Sequence, residues 1–412
     1  MGTDRKCELE AEVGRICIEN GSNIVPGHQP KERIYSLSFT ELALKAGTEL
    51  SFGDAVEMLN RLLHREENKA IKGRTYQDFC HRSGQKLTDY MAENTKKILE
   101  QAHFDNKTGK PYDEAALPSM LKETGANLPA ATNIQQTIQT FNASRQSADE
   151  QIQTDAFEME IPEETCYVSI DDIGVKHQKE HRKGSSQKQG VYVWNTVAVV
   201  QSQQDLYTLT GAGMPQVFRS TLAYLLAHGL LCHKNLVFFT DGANNIRCNI
   251  AETFSFHPYT IILDWYHLKK RCQECLSMSI MGGKEKRNLI LQKLLRILWV
   301  GNVPQAVQYL STLNPVQLRP TNRIAELCGY FTKHRDHIPC YALRHLLGLC
   351  NSSNRVEKAN DLVVAQRQKH NGMSWSVCGS AALAQIKALF INREAFHWLH
   401  YHSLPTFSSV AA

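Results

Sequence analysis

The stretch Leu236-Val237-Phe238-Phe239-Thr240-Asp241-Gly242-Ala243 sets five apolar or β-branched residues before a carboxylate and a glycine. A short apolar run bounded in this way reads as a buried strand, with Gly242 easing the turn into a helix over 244–254. Tyr167-Val168-Ser169-Ile170-Asp171-Asp172 repeats the pattern, a strand over 166–170 that ends in two carboxylates. An Asp after a strand can be an ordinary turn former. Burying a carboxylate at a strand end is nevertheless costly unless it is paired or bound to a metal. Two such ends on adjoining strands would bring carboxylates within reach of each other, and a divalent cation would relieve their repulsion.

A third carboxylate lies in Asn354-Arg355-Val356-Glu357-Lys358-Ala359-Asn360, preceded by Asn351-Ser352-Ser353. Ser353 or Asn354 is suited to cap a helix running to 370, which puts Glu357 in the first turn with Asn360 and Asp361 at nearby helical spacing. Glu in a first turn is also what the helix dipole favours without any function. Taken together, carboxylates on two strands and a helix make a hard-oxygen site suited to two Mg²⁺ ions. Strand alternation lets only one of Asp171 and Asp172 face such a site, and Asp171 is the one expected.

Around these stretches the pattern alternates. Strands are predicted over 166–170, 191–200 and 206–210, rich in Val, Tyr, Trp and Thr, so the sheet begins antiparallel. A helix over 215–228, a strand over 236–239, a helix over 244–254 and a strand over 260–263 follow. The fold class is α/β, a mixed sheet flanked by helices. Beyond His267 the strand signal stops and helical runs over 289–300 and 303–313 take its place, an all-helical insertion at about 268–350 within a domain spanning 165–412.

Residues 1–110 read as a helical region. Ser51-x-x-Asp54 and Thr75-x-x-Asp78 look like capping boxes. A turn at Ser83-Gly84 before a helix over 87–102 gives the outline of a helix-turn-helix, which would set Lys86, Thr88, Lys96 and Lys97 near a duplex. Residues 111–164 form a linker rich in Gly, Pro, Asn, Gln and Ser with a helix near 133–142, and the linker is acidic at its end.

With 412 residues, 42% hydrophobic and 21% charged, the chain has the composition of a soluble protein of two or three domains. Its longest apolar runs are about half of what spans a bilayer, so no membrane partner is expected. The first residues carry no secretory signal, and the expected location is cytoplasmic and nucleoid-associated, with the twelve cysteines as thiols. Cys272 and Cys275 form a single C-x-x-C, too little for a structural zinc site. The net charge of +5 is unevenly spread: 149–164 carries seven acidic residues and no basic one, whereas 267–300 carries eight basic and two acidic ones. Such a basic stripe suits a polyphosphate and is also what a solvated helix face looks like.

Val168-Ser169-Ile170-Asp171, Thr240-Asp241-Gly242-Ala243-Asn244-Asn245-Ile246, Ile262-Leu263-Asp264-Trp265-Tyr266-His267 and Asn354-Arg355-Val356-Glu357-Lys358-Ala359 follow one another in an order that resembles a known family. A last block, Gly372-Met373-Ser374-Trp375-Ser376, looks like a Gly-Met-x-Trp-Ser signature. The family is the DDE transposases of bacterial insertion sequences, of the ISKra and ISLre kinds, relatives of the Mutator-like group. The resemblance covers about residues 165–390, and the N-terminal 110 residues match only loosely.

The resemblance implies a ribonuclease-H-like fold in which Asp171, Asp241 and Glu357 are the catalytic and metal-binding residues, with two Mg²⁺ ions or Mn²⁺ in their place. It implies cleavage and strand transfer of double-stranded DNA at element ends, by a homo-oligomer assembled on DNA. Asp172 stands where glycine is expected. Asp264 and His267 resemble a C/D-x-x-H motif and would order the metal site or the DNA, or simply form a structural hydrogen bond. Lys269, Lys270, Arg271, Lys284, Lys286, Arg287, Arg355 and Lys358 are candidate DNA contacts, together with the basic segment 176–188. Trp299 and Trp375 are open to two readings, stacking on an extruded base or filling the core. The alternatives are a ribonuclease-H-like nuclease or resolvase, and a catalytically silent DNA-binding descendant of a transposase.

Overall fold

The structure, a computed structural model, describes residues 6–11, 14–19, 36–114, 131–153, 164–178, 192–203, 205–211, 213–233, 235–370 and 373–407. Strands β1 (Lys6–Ala11) and β2 (Gly14–Glu19) pair as an antiparallel hairpin where a helical region was expected. The alternating Arg15-Ile16-Cys17-Ile18 supports a strand period rather than a helical one.

The main sheet has five strands, β3 (Thr165–Lys176), β4 (Tyr192–Ser202), β5 (Asp205–Gly211), β6 (Asn235–Thr240) and β7 (Thr260–Leu263), in the order β5-β4-β3-β6-β7. β3 pairs antiparallel with β4, and β4 with β5. On the other side β6 is parallel to β3, and β7 to β6. The mixed sheet is as expected. The end of β3 is not: the strand runs through both carboxylates to Lys176, because β4 goes on pairing with it, Val197 opposite Asp171 and Thr196 opposite Asp172. Pairing with β6 stops at Ser169 and Phe239, so the carboxylates stand where one side of β3 has lost its neighbour.

Side-chain alternation divides the sheet between two cores. Cys166, Val168, Ile170, Leu236 and Phe238 join one, and Tyr167, Val237 and Phe239 join the other. The first core takes in helices α1 (Leu37–Glu49), α2 (Phe52–Leu62) and α3 (Gly73–Gln101), together with Met214–Ala227 and Val377–Ile391. Ser36 and Ser51 cap α1 and α2 by accepting from the amides of Phe39 and Asp54.

The N-terminal helices are therefore built into the same core as the sheet. Glu49 and Lys387 pair at 2.5 Å. The buried Arg367 guanidinium lies between the rings of Phe52 and Trp375 and donates from Nε to the Gly47 carbonyl.

No helix-turn-helix forms at Ser83-Gly84. α3 is one helix of 29 residues that begins at Gly73, so Thr75 lies inside it and does not cap it. Glycine is needed at 84 for a different reason: a Cβ there would stand 2.3 Å from the Ala382 carbonyl oxygen, where α3 crosses Val377–Ile391. Lys96 and Lys97 face Glu100 and Glu93 along the exposed side of the same helix.

Of the linker, 115–130 and 154–163 lie outside the described residues. The expected helix is present as Ala131–Ala143, and Ile134 and Ile152 pack with Val300, Cys340 and Leu343. The acidic and basic segments meet at Glu150 and Arg296, 2.8 Å apart.

The insertion is built of helices Trp265–Ser279, Gly283–Trp299, Val303–Ser311, Arg323–Lys333 and Tyr341–Leu346, which cover the second face of the sheet. It begins and ends at one place: the Trp265 amide donates to the Asn351 carbonyl at 3.2 Å, and the Tyr341 hydroxyl donates to the Leu263 carbonyl at 2.7 Å. Cys272 and Cys275 are buried in its core, where burial pushes both thiols upward. Among the described residues no helix is long and apolar enough to cross a membrane.

Candidate active site

Asp171 lies within β3 past its pairing with β6, and Asp241 follows the last residue of β6. The paired register ends at Ser169 and Phe239, and Asp171 and Asp241 each lie two residues beyond it, close enough for the Asp241 charge to act on Asp171. Strand alternation carries Asp171 on from Tyr167 and Asp241 on from Val237 and Phe239, the face that the insertion covers. Neighbouring strands are about 4.8 Å apart, close enough for the two carboxylates to feel each other. Burial first, and then the charges of Asp241 and Asp172, raise the Asp171 carboxyl to about 6 against the opposing effects of the Asp172 amide and His267.

Asp171 accepts from the Asp172 amide at Oδ1 and from Asn360 Nδ2 at Oδ2, 2.7 Å away. Asp172 turns to the other face and accepts from Thr196 Oγ1 at 2.5 Å; burial is the main cause that raises it. Of the doublet, then, it is Asp171 that touches the helix carrying Glu357. Asp241 ends β6 and accepts from the Ala243 amide at 2.8 Å. Gly242 between them has φ +91°, a region that favours glycine.

Asp264 follows β7 and caps the insertion's first helix, accepting from the His267 amide at 2.9 Å. Its side chain is fully buried. Oδ1 also faces His267 Nδ1 at 3.2 Å, and Oδ2 accepts from both the amide and the hydroxyl of Ser353. Burial alone would raise this carboxyl, but together these donors outweigh it and hold it below its usual value. With both oxygens occupied, Asp264 organises its neighbours. Ser353 does stand at the head of the helix Asn354–Asn360, yet its hydroxyl bonds Asp264 and not the helix's own amides.

His267 joins this clasp to the third carboxylate. Its Nδ1 lies 3.6 Å from Glu357 Oε1, an ion-pair distance longer than a hydrogen bond. The bond to Asp264 is the main cause that raises its pKa; burial opposes, and the charges of Asp264, Glu357 and Asp241 add to the rise. One ligand atom each from Asp264, His267 and Glu357 lie within 4.8 Å of one another.

Glu357 Oε1 and Asn360 Oδ1 are buried oxygens without a hydrogen-bond donor. Orphaned oxygen acceptors are groups a hard cation can satisfy; among the described residues the ligand atoms brought together are those of Asp264, His267 and Glu357, and Asp171 and Asp241 are not part of that group. Sequence reasoning placed Asn360 one helical turn from Glu357 but gave it no role. The Asp264–Ser353 contact carried no local signal at all.

Of the expected DNA contacts, Lys269, Lys270, Arg355 and Lys358 are exposed on the two helices that carry His267 and Glu357. Arg271 is half-buried with its guanidinium 5.8 Å from the centre of the Tyr330 ring. Lys284 is exposed and Lys286 and Arg287 are half-buried at the start of the next helix. Of the basic segment, 179–188 lies outside the described residues, as does Gly372. Trp375 is a core residue whose indole donates to the Gln368 carbonyl. Trp299 is half-buried and stacks with Tyr341 beside a cavity of about 180 Å³.

No protein-family model matches the chain, and a search of curated proteins found no match. Among solved structures, the chain is similar to the Drosophila P element transposase strand transfer complex, at 9% identity over 94% of this chain and 86% of that chain. The TM-score is 0.27, a likeness too remote to support an argument about fold or function.

Proposed function

We propose that the chain is a DDE-type DNA transposase with a ribonuclease-H-like core, in which Asp171, Asp241 and Glu357 hold two Mg²⁺ ions. The observation that carries this reading is the Asn360 side chain tying Asp171 to the helix of Glu357, with Asp241 near enough for its charge to act on Asp171. Bound Mg²⁺, or Mn²⁺ in its place, would supply activation of an attacking hydroxyl and stabilisation of the leaving oxygen in an in-line displacement at phosphorus. The chain's own contribution is positioning. Asn360 fixes the Asp171 carboxylate, the Asp264–Ser353 contact fixes His267, and His267 lies at ion-pair distance from Glu357. The insertion covers the site's face of the sheet and limits water there.

Double-stranded DNA is the substrate that the exposed Lys269, Lys270, Arg355 and Lys358 around the site suit. Joining two element ends would require a homo-oligomer on DNA, acting at the nucleoid. The kinship to the ISKra and ISLre kinds rests on the sequence blocks alone.

A Mg²⁺-dependent assay on DNA flanking the chain's own gene tests the reading, with Asp241→Ala and Glu357→Gln compared with the wild type. Cleavage and strand transfer by the wild type, lost in both variants with DNA binding kept, is the expected result. Cleavage without joining would instead identify a nuclease or resolvase, and binding without cleavage a silent descendant. Equal cutting by all three proteins would overturn the assignment.

A further inference from the structure

We propose that the turn at Gly242, the first turn of helix Asn244–Thr253, Arg247 and His334 form a subsite for a phosphate of the nucleic-acid backbone, next to the one held at the carboxylates. The inference rests on the reading of the site as acting on DNA, and it gives roles to Arg247 and His334, which the sequence did not single out. The helix has ten residues, and Ala243 at its cap position offers its amides no side-chain acceptor. A helix start of this kind presents N–H groups and a positive dipole end to an anion.

The second observation comes from the opposite wall. His334 ends the insertion helix Arg323–Lys333 and is 1% exposed, yet its Nδ1 has no hydrogen-bond partner. The adjoining ring atom Cε1 lies 3.3 Å from where a Cβ on Gly242 would be, so the ring edge is aimed at the turn. Arg247 reaches back along its helix to donate to Asn244 Oδ1 at 3.0 Å, and its buried Nε also lacks an acceptor. Arg271 Nε, beside the Tyr330 ring that packs on His334, is a third such donor.

Unsatisfied buried polar atoms are costly, and those of Arg247 and His334 lie near enough for the Arg247 charge to act on His334. The charge balance agrees. Burial first, then Arg247, Lys333 and His337, push His334 down to about 4, and no carboxylate is among the groups acting on it. A neutral imidazole, a guanidinium and a helix start without a side-chain cap together match a tetrahedral phosphate with its several acceptor oxygens. Gly242 lets Tyr330, Leu263 and His334 pack close against the turn, where a side chain would meet the Tyr330 hydroxyl at 2.8 Å.

The test uses the full chain with Ca²⁺ in place of Mg²⁺, a duplex of about 20 bp read by fluorescence anisotropy, and inorganic phosphate read by thermal shift. Arg247→Gln and His334→Gln should each weaken duplex binding about tenfold, the loss expected for one charge-assisted contact, and Arg247→Gln should lower the salt slope by about one. Phosphate should raise the melting temperature of the wild type and not that of Arg247→Gln, with Arg247→Lys intermediate. Unchanged duplex affinity in folded Arg247→Gln would overturn the proposal, even if inorganic phosphate still bound, because the site would then take the free anion and not the backbone. Asp241→Asn should keep the phosphate response. A wild type that never cuts DNA but shows the Arg247-dependent affinity would refute the catalytic reading and leave the subsite standing.

Discussion

Ser353 donates two hydrogen bonds to the Asp264 carboxylate, one from its backbone amide and one from its hydroxyl, across a separation of 89 residues. This contact locks the beginning of the insertion to the head of the helix that carries Glu357.

Ser353→Ala should therefore cost about 1.5–3 kcal/mol, the range for a hydrogen bond to a charged group, with the amide bond retained. Denaturant unfolding measures the loss. Asp264→Asn removes the charge that raises His267, so the His267 resonance should titrate at lower pH in the variant. An unmoved titration would show that Asp264 does not govern this ring.

Asn360→Leu leaves Asp171 without its 2.7 Å donor. Loss of a partner that orients a metal-binding group typically reduces affinity or activity about 10–100-fold. Calorimetric Mn²⁺ titration of the variant should show weakened binding, and Asn360→Gln should recover little because its longer arm misplaces the amide. Wild-type affinity in the leucine variant would remove Asn360 from the site.

The Asp171 carboxyl is raised by burial and by Asp241, so without metal it favours the folded state while protonated. Its contribution is whole below the ordinary value of 3.8 and is lost as pH climbs through about 6. In EDTA, the stability of the wild type relative to Asp171→Asn should fall across that window by up to about 3 kcal/mol. A difference that stays flat from acid to neutral pH would contradict the crowding of these carboxylates.

Gly84→Ala puts a methyl group against the Ala382 carbonyl, 2.3 Å away before relaxation. Overpacking of this kind costs about 1–3 kcal/mol, more than alanine's helix propensity returns. A lowered melting temperature is expected. Lys97→Gln, which only frees Glu93 on an exposed helix face, should leave both stability and DNA affinity unchanged.

What could be read from the sequence was what neighbours in the chain decide. The Asp-Gly end of β6 and the whole of β7 follow from local composition, and the carboxylates at Asp241 and Glu357 stood out because they sit where an element ends or begins. The length of β3 did not, since it depends on β4 continuing to pair past Asp171. Ser83-Gly84 has the composition of a turn, but the use made of the glycine is settled by Ala382, far along the chain. The same holds for Ser353: it was read as a helix cap, and it does stand in that position, but its hydroxyl answers to a carboxylate in another element. His334 gave no signal because its significance lies in what it meets across the Gly242 turn.

The bond from Arg367 to the Gly47 carbonyl spans 320 residues, and the pair Lys387–Glu49 spans 338. On the ribosome, α1 to α3 can pack on one another early, but their contacts with residues 367 and 387 wait until those residues have emerged. A nascent chain of this design exposes unburied surface for most of its synthesis, which makes it a client for chaperones, and translation halted before residue 367 would release a product unable to complete its core.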